Sequence, residues 1–192
     1  MKVVSIVGMA GAGKSEVARV FEESGFKRVR FGDITDEEVK KRGLTLNEPN
    51  ERYVRELLRE EYGMAAYALL NLPRIDAALK ESNVVVDGLY SWEEYLTLKA
   101  HFKESFYLVA VCAAPKIRYA RLGGRAVRPL TTNEASGRDR AEIENLNKGG
   151  PIAMAEFTVV NEGALEDLRK AAREIVTGIL SDTGASIGKA KS

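Results

Sequence analysis

The chain carries "GMAGAGKS" at residues 8–15, directly after the apolar run "VVSIV". Gly8, Gly11 and Gly13, spaced by Met9, Ala10 and Ala12, let a backbone wrap closely enough for several N–H groups to converge on one phosphate. A helix opening at Lys14 adds its positive dipole end. The Lys14 ammonium would neutralise β- and γ-phosphates, and the Ser15 hydroxyl would be a ligand to Mg²⁺. The pattern predicts a bound nucleotide, with ATP and Mg²⁺ as the cofactors. It leaves open whether the phosphate is transferred, hydrolysed or sensed.

Two carboxylates fall where such a cradle needs them. Asp87 ends the run "NVVVD", and an acidic residue at the end of a strand beside the loop would hold Mg²⁺, directly or through water. Gly88 follows it and permits close approach of a ligand or of backbone. Asp33, in "RFGD", is placed at the mouth of the same cleft. There it would orient metal-bound water or accept a proton from an acceptor hydroxyl; the alternative is a helix-capping aspartate. Downstream, "KIRYARLGGRAVRP" holds Arg118, Arg121, Arg125 and Arg128 around Gly123 and Gly124. The first three follow i, i+3, i+7 spacing and are expected on one helical face, as a lid that brings guanidinium forks onto the transferring group. Arg138, in "SGRDRAEI", would close on the same phosphates.

These residues need a scaffold. Short apolar runs at 2–7, 26–31, 83–88, 105–113 and 156–161 alternate with helical stretches, which predicts an α/β fold with a largely parallel sheet. The runs at 2–7, 83–88 and 105–113 read as central strands, and 26–31 alternates like an edge strand. The S/T-x-x-E spacing at Thr35, Ser91 and Thr131 predicts three capped helix starts. Residues 164–180 form an amphipathic terminal helix, and 181–192 read as a disordered tail.

Composition excludes several classes. With 192 residues one domain is expected, and a net charge of +1 gives no field for nucleic acid or an acidic membrane. The longest apolar run, 106–114, is too short to span a bilayer, and the N-terminus lacks a signal-peptide layout. Cys112, the one cysteine, suits a reducing cytoplasm and reads as a buried, inert thiol. His101, the one histidine, leaves almost no material for a triad or a histidine-based metal centre.

The segments "IVGMAGAGKS", "RFGDI", "LREEYGMAAYAL", "VVVDGLYSWEEY", "AAPKIRYARLGGR", "GRDRAEI" and "TVVNEGALEDL" occur in that order. Over roughly residues 1–180 the chain resembles archaeal-type adenylate-kinase-related and dephospho-CoA-kinase-like P-loop proteins of the nucleoside monophosphate kinase superfamily. The resemblance implies a three-layer P-loop fold with a five-stranded parallel sheet of order 2-3-1-4-5. It also implies a helical acceptor-binding region at about 34–82, a lid at about 116–150, and Asn161 and Gly163 near the donor base. Two departures bear on the acceptor. Such proteins usually carry an arginine about three positions after the "GD", where this chain has Asp36. They usually carry another just after the "DG", where this chain has Leu89 and Tyr90. Arg59 is retained for an acceptor anion, with Arg52 and Arg55 as further candidates. Tyr90 would stack on a ring or donate its hydroxyl, or else simply pack. The expected activity is ATP-dependent phosphoryl transfer to a small nucleotide-like acceptor, a nucleoside or deoxynucleoside monophosphate or dephospho-CoA, by a cytoplasmic monomer or homodimer. The rival is a nucleotide-binding regulator or weak NTPase with a decayed acceptor site.

Overall fold

The computed structural model describes residues 1–126 and 129–182; Arg128 and the tail from 183 onward lie outside the described residues. Five strands, β1 (Val3–Val7), β2 (Lys27–Arg30), β3 (Val84–Asp87), β4 (Phe106–Cys112) and β5 (Phe157–Val160), form one sheet in the order β2-β3-β1-β4-β5. All four pairings are parallel. β1, β3 and nearly all of β4 are buried, as their β-branched composition requires. The alternating β2 lies at the edge.

Helices cover both faces. On one side α1 (Lys14–Glu23) and the terminal helix, Leu165–Ser181, pack Val17, Phe21, Leu168 and Ile179 onto Val4, Ile6 and Val109. On the other side lie α2 (Asp33–Lys41), α3 (Glu48–Tyr62), α4 (Ala66–Ala78) and α5 (Trp92–Phe102). They bury Val39, Val54, Tyr67, Ile75 and Leu98 against Val3, Val84 and Leu108. Over β4 and β5 follow α6 (Pro115–Gly123), α7 (Thr132–Glu144) and the short α8 (Gly149–Ala153); the terminal helix is α9.

Two of the three expected capping boxes are present. Ser91 and Thr131 each accept the backbone N–H of the glutamate three residues on, which answers back to the cap. The third differs. α2 begins at Asp33 with Gly32 as its cap, so Thr35 lies inside the helix, where its hydroxyl hydrogen-bonds Tyr67. Asp33 and Asp36 supply the favourable charge in that first turn instead. α6 ends at Gly123, so Arg125 lies beyond the helix and does not share a continuous helical face with Arg118 and Arg121.

The sheet order puts the β1 and β3 ends side by side, with Ile6 opposite Asp87. The loop after β1 must then turn sharply. Gly8 has φ of 149°, and a Cβ there would stand 2.3 Å from the carbonyl oxygen of Val111 on β4. Gly8→Ala is expected to cost about 2 kcal/mol or more, since both strain and a backbone clash apply. Thermal or urea unfolding checks this, and an unchanged midpoint would contradict the close loop–β4 approach.

Candidate active site

The phosphate loop is clasped from the far edge of the sheet. Asn161, just after β5, donates from Nδ2 to the Ala12 carbonyl at 2.7 Å. Its Oδ1 accepts from Arg121 at 3.4 Å. Gly13 leaves the room for this, since a Cβ there would sit 2.3 Å from Asn161 Nδ2. Asn161 thus holds the loop, while Gly163 occupies the exposed turn into α9.

Arg118 has a similar positioning task. It is 4 % exposed, and its guanidinium meets both oxygens of Asp139 on α7 at 2.8 and 2.6 Å. It also donates to the carbonyls of Ala10 at 3.1 Å and Ala113 at 3.0 Å, and Tyr119 donates to the same Asp139 at 2.9 Å. The fork is therefore spent on tying α7 to the loop through α6. Spacing alone suggests Arg118 for the phosphates; its partner Asp139 lies 21 residues on, in "SGRDRAEI", where no local signal links the two. Arg125 is exposed; desolvation by surrounding protein and the like charge of Arg138 hold its guanidinium below the ordinary value.

Lys14 donates to the Met9 carbonyl at 3.1 Å, folded back over its own loop. Burial, then the like charge of Lys148, pulls its ammonium down to about 7 against the opposing pull of Glu142 and Asp87. Ser15 Oγ and Asp87 Oδ2 stand 3.4 Å apart. Two neighbouring oxygen ligands on an octahedral ion with bonds of about 2.1 Å lie about 3 Å apart, so this pair fits Mg²⁺. Among the described residues no group of three or more His, Cys, Asp and Glu side chains could hold a metal alone. Asp87 is also salt-bridged by Arg28 of β2. Arg28 was not anticipated; the alternating "KRVR" of the edge strand was the available signal.

The opposite wall carries the aromatic residues. The Tyr90 hydroxyl lies against Gly88 and Gly32, at the ends of β3 and β2. Its ring meets Tyr67 edge to face with centroids 5.5 Å apart. Burial first, then Glu94, Asp87 and Tyr67, pushes the Tyr90 hydroxyl well above its ordinary value, so it stays a proton donor. The Arg59 guanidinium lies 5.3 Å from the centroid of the Tyr67 ring, and its buried Nε has no hydrogen-bond partner. Asp33 instead pairs with Arg30 at 3.0 Å on a more exposed shoulder. Glu94, which the sequence marked only as a helix cap, is fully buried, and its Oε1 is unpartnered. Cys112 is half-buried, and burial raises its thiol, as for an inert side chain.

Between these walls the α7–α8 region introduces a buried charge cluster. Glu142 Oε2 accepts from Lys148 at 2.8 Å and Oε1 from Arg138 at 3.1 Å. Burial opposes the charge of Glu142, yet Lys148, Arg138 and Lys14 hold it down at about 2.

Two measurements follow. Removing one partner of a buried ion pair costs about 3–5 kcal/mol, whereas removing both with apolar replacements is far cheaper. Arg118→Met is therefore expected to lose that amount in urea unfolding, and Arg118→Met/Asp139→Leu to regain most of it. A single-variant loss below about 1 kcal/mol would contradict the strut. Burial pushes Glu94 from 4.5 up to about 7, against hydrogen bonds from the Tyr90 and Ser91 backbone and the charges of Arg59 and Lys148. The folded state then binds more protons than the unfolded state between those values, so stability falls as pH rises from about 4.5 to about 7. Glu94→Gln keeps a carbonyl oxygen for the cap and should flatten the Tm–pH curve over this range; an identical slope would contradict it.

Residues 4–147 match the AAA_18 family model, described as an AAA domain. The UPF0200 protein TK1334 of Thermococcus kodakarensis is 39% identical over 183 residues, which cover 93% of this chain and 98% of that protein. Among solved structures, TT1252 from Thermus thermophilus superposes with a TM-score of 0.64 at 18% identity, covering 92% of this chain and 97% of that one. Shikimate kinase from Acinetobacter baumannii, in complex with shikimate, gives 0.58 at 19% identity and 95% of both chains. At these identities the structural likeness shows the P-loop kinase-like fold alone. The chain belongs to the UPF0200 family and, through residues 4–147, to the AAA-domain P-loop proteins.

Proposed function

We propose that the protein transfers a phosphoryl group from ATP to a small acceptor held between the phosphate loop and the Arg59–Tyr67–Tyr90 wall. The observation that carries this reading is the buried charge balance between the two. Lys14, Lys148 and Arg138 all act on Glu142, Glu94 lies in the field of Lys148, and Asp87 is salt-bridged by Arg28 while also acting on Lys14. A cation cluster with Lys148 buried, Lys14 half-buried and Arg138 on the open side would be stabilised by an incoming polyanion, and phosphoryl transfer needs cations where charge spreads over the moving group.

The roles follow from position. Residues 8–15 cradle the donor phosphates, and Lys14 swings from the Met9 carbonyl onto them. Ser15 and Asp87 would hold Mg²⁺, which would neutralise charge on the donor phosphates. Arg121 and Arg125 lie on the donor side of the lid, and Arg118 and Asn161 keep the loop in shape. Arg59 faces the acceptor's anionic group. Asp33 stands at the acceptor's approach as the proton acceptor for a hydroxyl. The acceptor class that matches the sequence resemblance is a nucleotide or nucleotide-like molecule, including dephospho-CoA.

A second reading has its own observation. Tyr90 fills the space over Gly88 where related kinases place an acceptor arginine; a Cβ at Gly88 would stand 2.9 Å from its hydroxyl. A nucleotide-binding regulator or weak NTPase would tolerate that plug. An ADP-release assay across nucleoside and deoxynucleoside monophosphates, nucleosides and dephospho-CoA separates the two. Transfer requires at least one compound to raise ADP release well above the acceptor-free rate, with Lys14→Ala abolishing it. Tight ATP binding that no acceptor changes would overturn the kinase reading in favour of the regulator.

A further inference from the structure

Lys148 has no place in the sequence reading, and its side chain is only 1 % exposed. Ordered loops rarely bury lysine without a use for the charge. Local structure fixes it here. Asn147 adopts a positive φ of 50°, and Lys148 caps α8. The Trp92 N–H donates to the Leu146 carbonyl at 3.2 Å. Gly150 packs on the Trp92 ring so closely that a Cβ would stand 2.6 Å from it. The ammonium is thereby delivered 5.5 Å from the centroid of the Tyr90 ring, with Glu142 as its hydrogen-bonded partner.

Its surroundings place it between donor and acceptor. Tyr90 occupies the segment where the acceptor arginine is missing, and Tyr67 continues the aromatic floor to Arg59. One cation thus stands at each end of the tyrosine pair, Arg59 over Tyr67 and Lys148 over Tyr90. Glu94 lies within the field of both, and Lys14 lies within the field of Lys148. Glu142 is the anion that holds Lys148 and Arg138 together beside this gap.

We propose that Lys148, with Arg138, forms the acceptor-side anion subsite, restoring from the α7–α8 turn the positive charge absent at Asp36 and Tyr90, and that Glu142 is the internal carboxylate that an acceptor's anionic oxygen replaces. The subsite takes an acceptor with a phosphate or carboxylate beside the accepting oxygen. It disfavours a neutral one, whose arrival would leave the cations on Glu142. This rests on the phosphotransfer reading, since that reading supplies the acceptor whose anion the subsite would take.

The test uses inorganic phosphate and acetate as acceptor-anion probes, titrated into full-length protein saturated with Mg²⁺ and a non-hydrolysable ATP analogue. Wild-type protein should bind one further anion; stronger phosphate binding identifies a phosphorylated acceptor and stronger acetate binding a carboxylated one. Lys148→Gln should weaken that anion about tenfold or more, the effect of losing one charge-assisted hydrogen bond, with Lys148→Arg recovering most of it. Glu142→Gln should tighten it by about threefold or more, because the competing carboxylate is gone. A merely structural ion pair would not give this gain. Circular dichroism of each variant keeps loss of fold separate from loss of binding, and Glu142→Gln remains decisive if Lys148→Gln fails to fold. Absence of a second anion on donor-loaded wild type, or anion affinity unmoved by Glu142→Gln, would overturn the subsite. Failure of the ATP analogue itself to bind would instead overturn the phosphotransfer reading.

Discussion

Positive charge buried at the carboxyl ends of the strands is the constraint around which this protein is arranged. A buried ammonium is costly unless paired, and Glu142 faces the buried Lys148 and the more exposed Arg138 directly and Lys14 through space. Burial first, and then the like charge of Lys148, depresses the Lys14 ammonium. On the proposed reading a phosphate group would offset that charge, giving binding and transfer a common electrostatic origin.

The fold concentrates that charge because of its strand order. With β1 between β3 and β4, the loop after β1, Asp87 from β3 and the start of α6 from β4 arrive together at one end of the sheet. Such a switch in strand order is where open parallel sheets bind ligands. Several side chains brace this end of the sheet through hydrogen bonds and ion pairs. Asn161 ties the far edge strand to the loop, Arg118 and Asp139 tie the lid to it, and Arg28 steadies Asp87 from the other edge. Each is a buried or half-buried polar contact, so loosening one should be felt across the site.

What could be read from sequence was what short-range rules govern. The glycine loop, the central strands, the edge position of β2, the helix α9 and the Ser91 and Thr131 capping boxes depend on local spacing and are present in the structure. Thr35 shows where such rules fail: the same spacing did not make a cap, because its hydroxyl is taken by Tyr67 from another helix. Arg118 fails for a related reason. Its type and position suit a phosphate, but Asp139, 21 residues on, claims its fork. Lys148 and Glu94 were hidden because a lysine in a glycine-rich turn and a capping glutamate look like surface residues. Their burial comes with long-range packing, of Gly150 on Trp92 and of α4 beside α5.

The central claim is that the charge cluster serves transfer to an acceptor rather than to water. Phosphorus NMR of ATP and Mg²⁺ incubated with the protein and a mixture of small phosphorylated and carboxylated acceptors tests it most directly. The account predicts a new phosphoester, phosphoanhydride or acyl phosphate resonance growing in step with ADP. ADP accompanied only by inorganic phosphate, or no turnover at all, would contradict it.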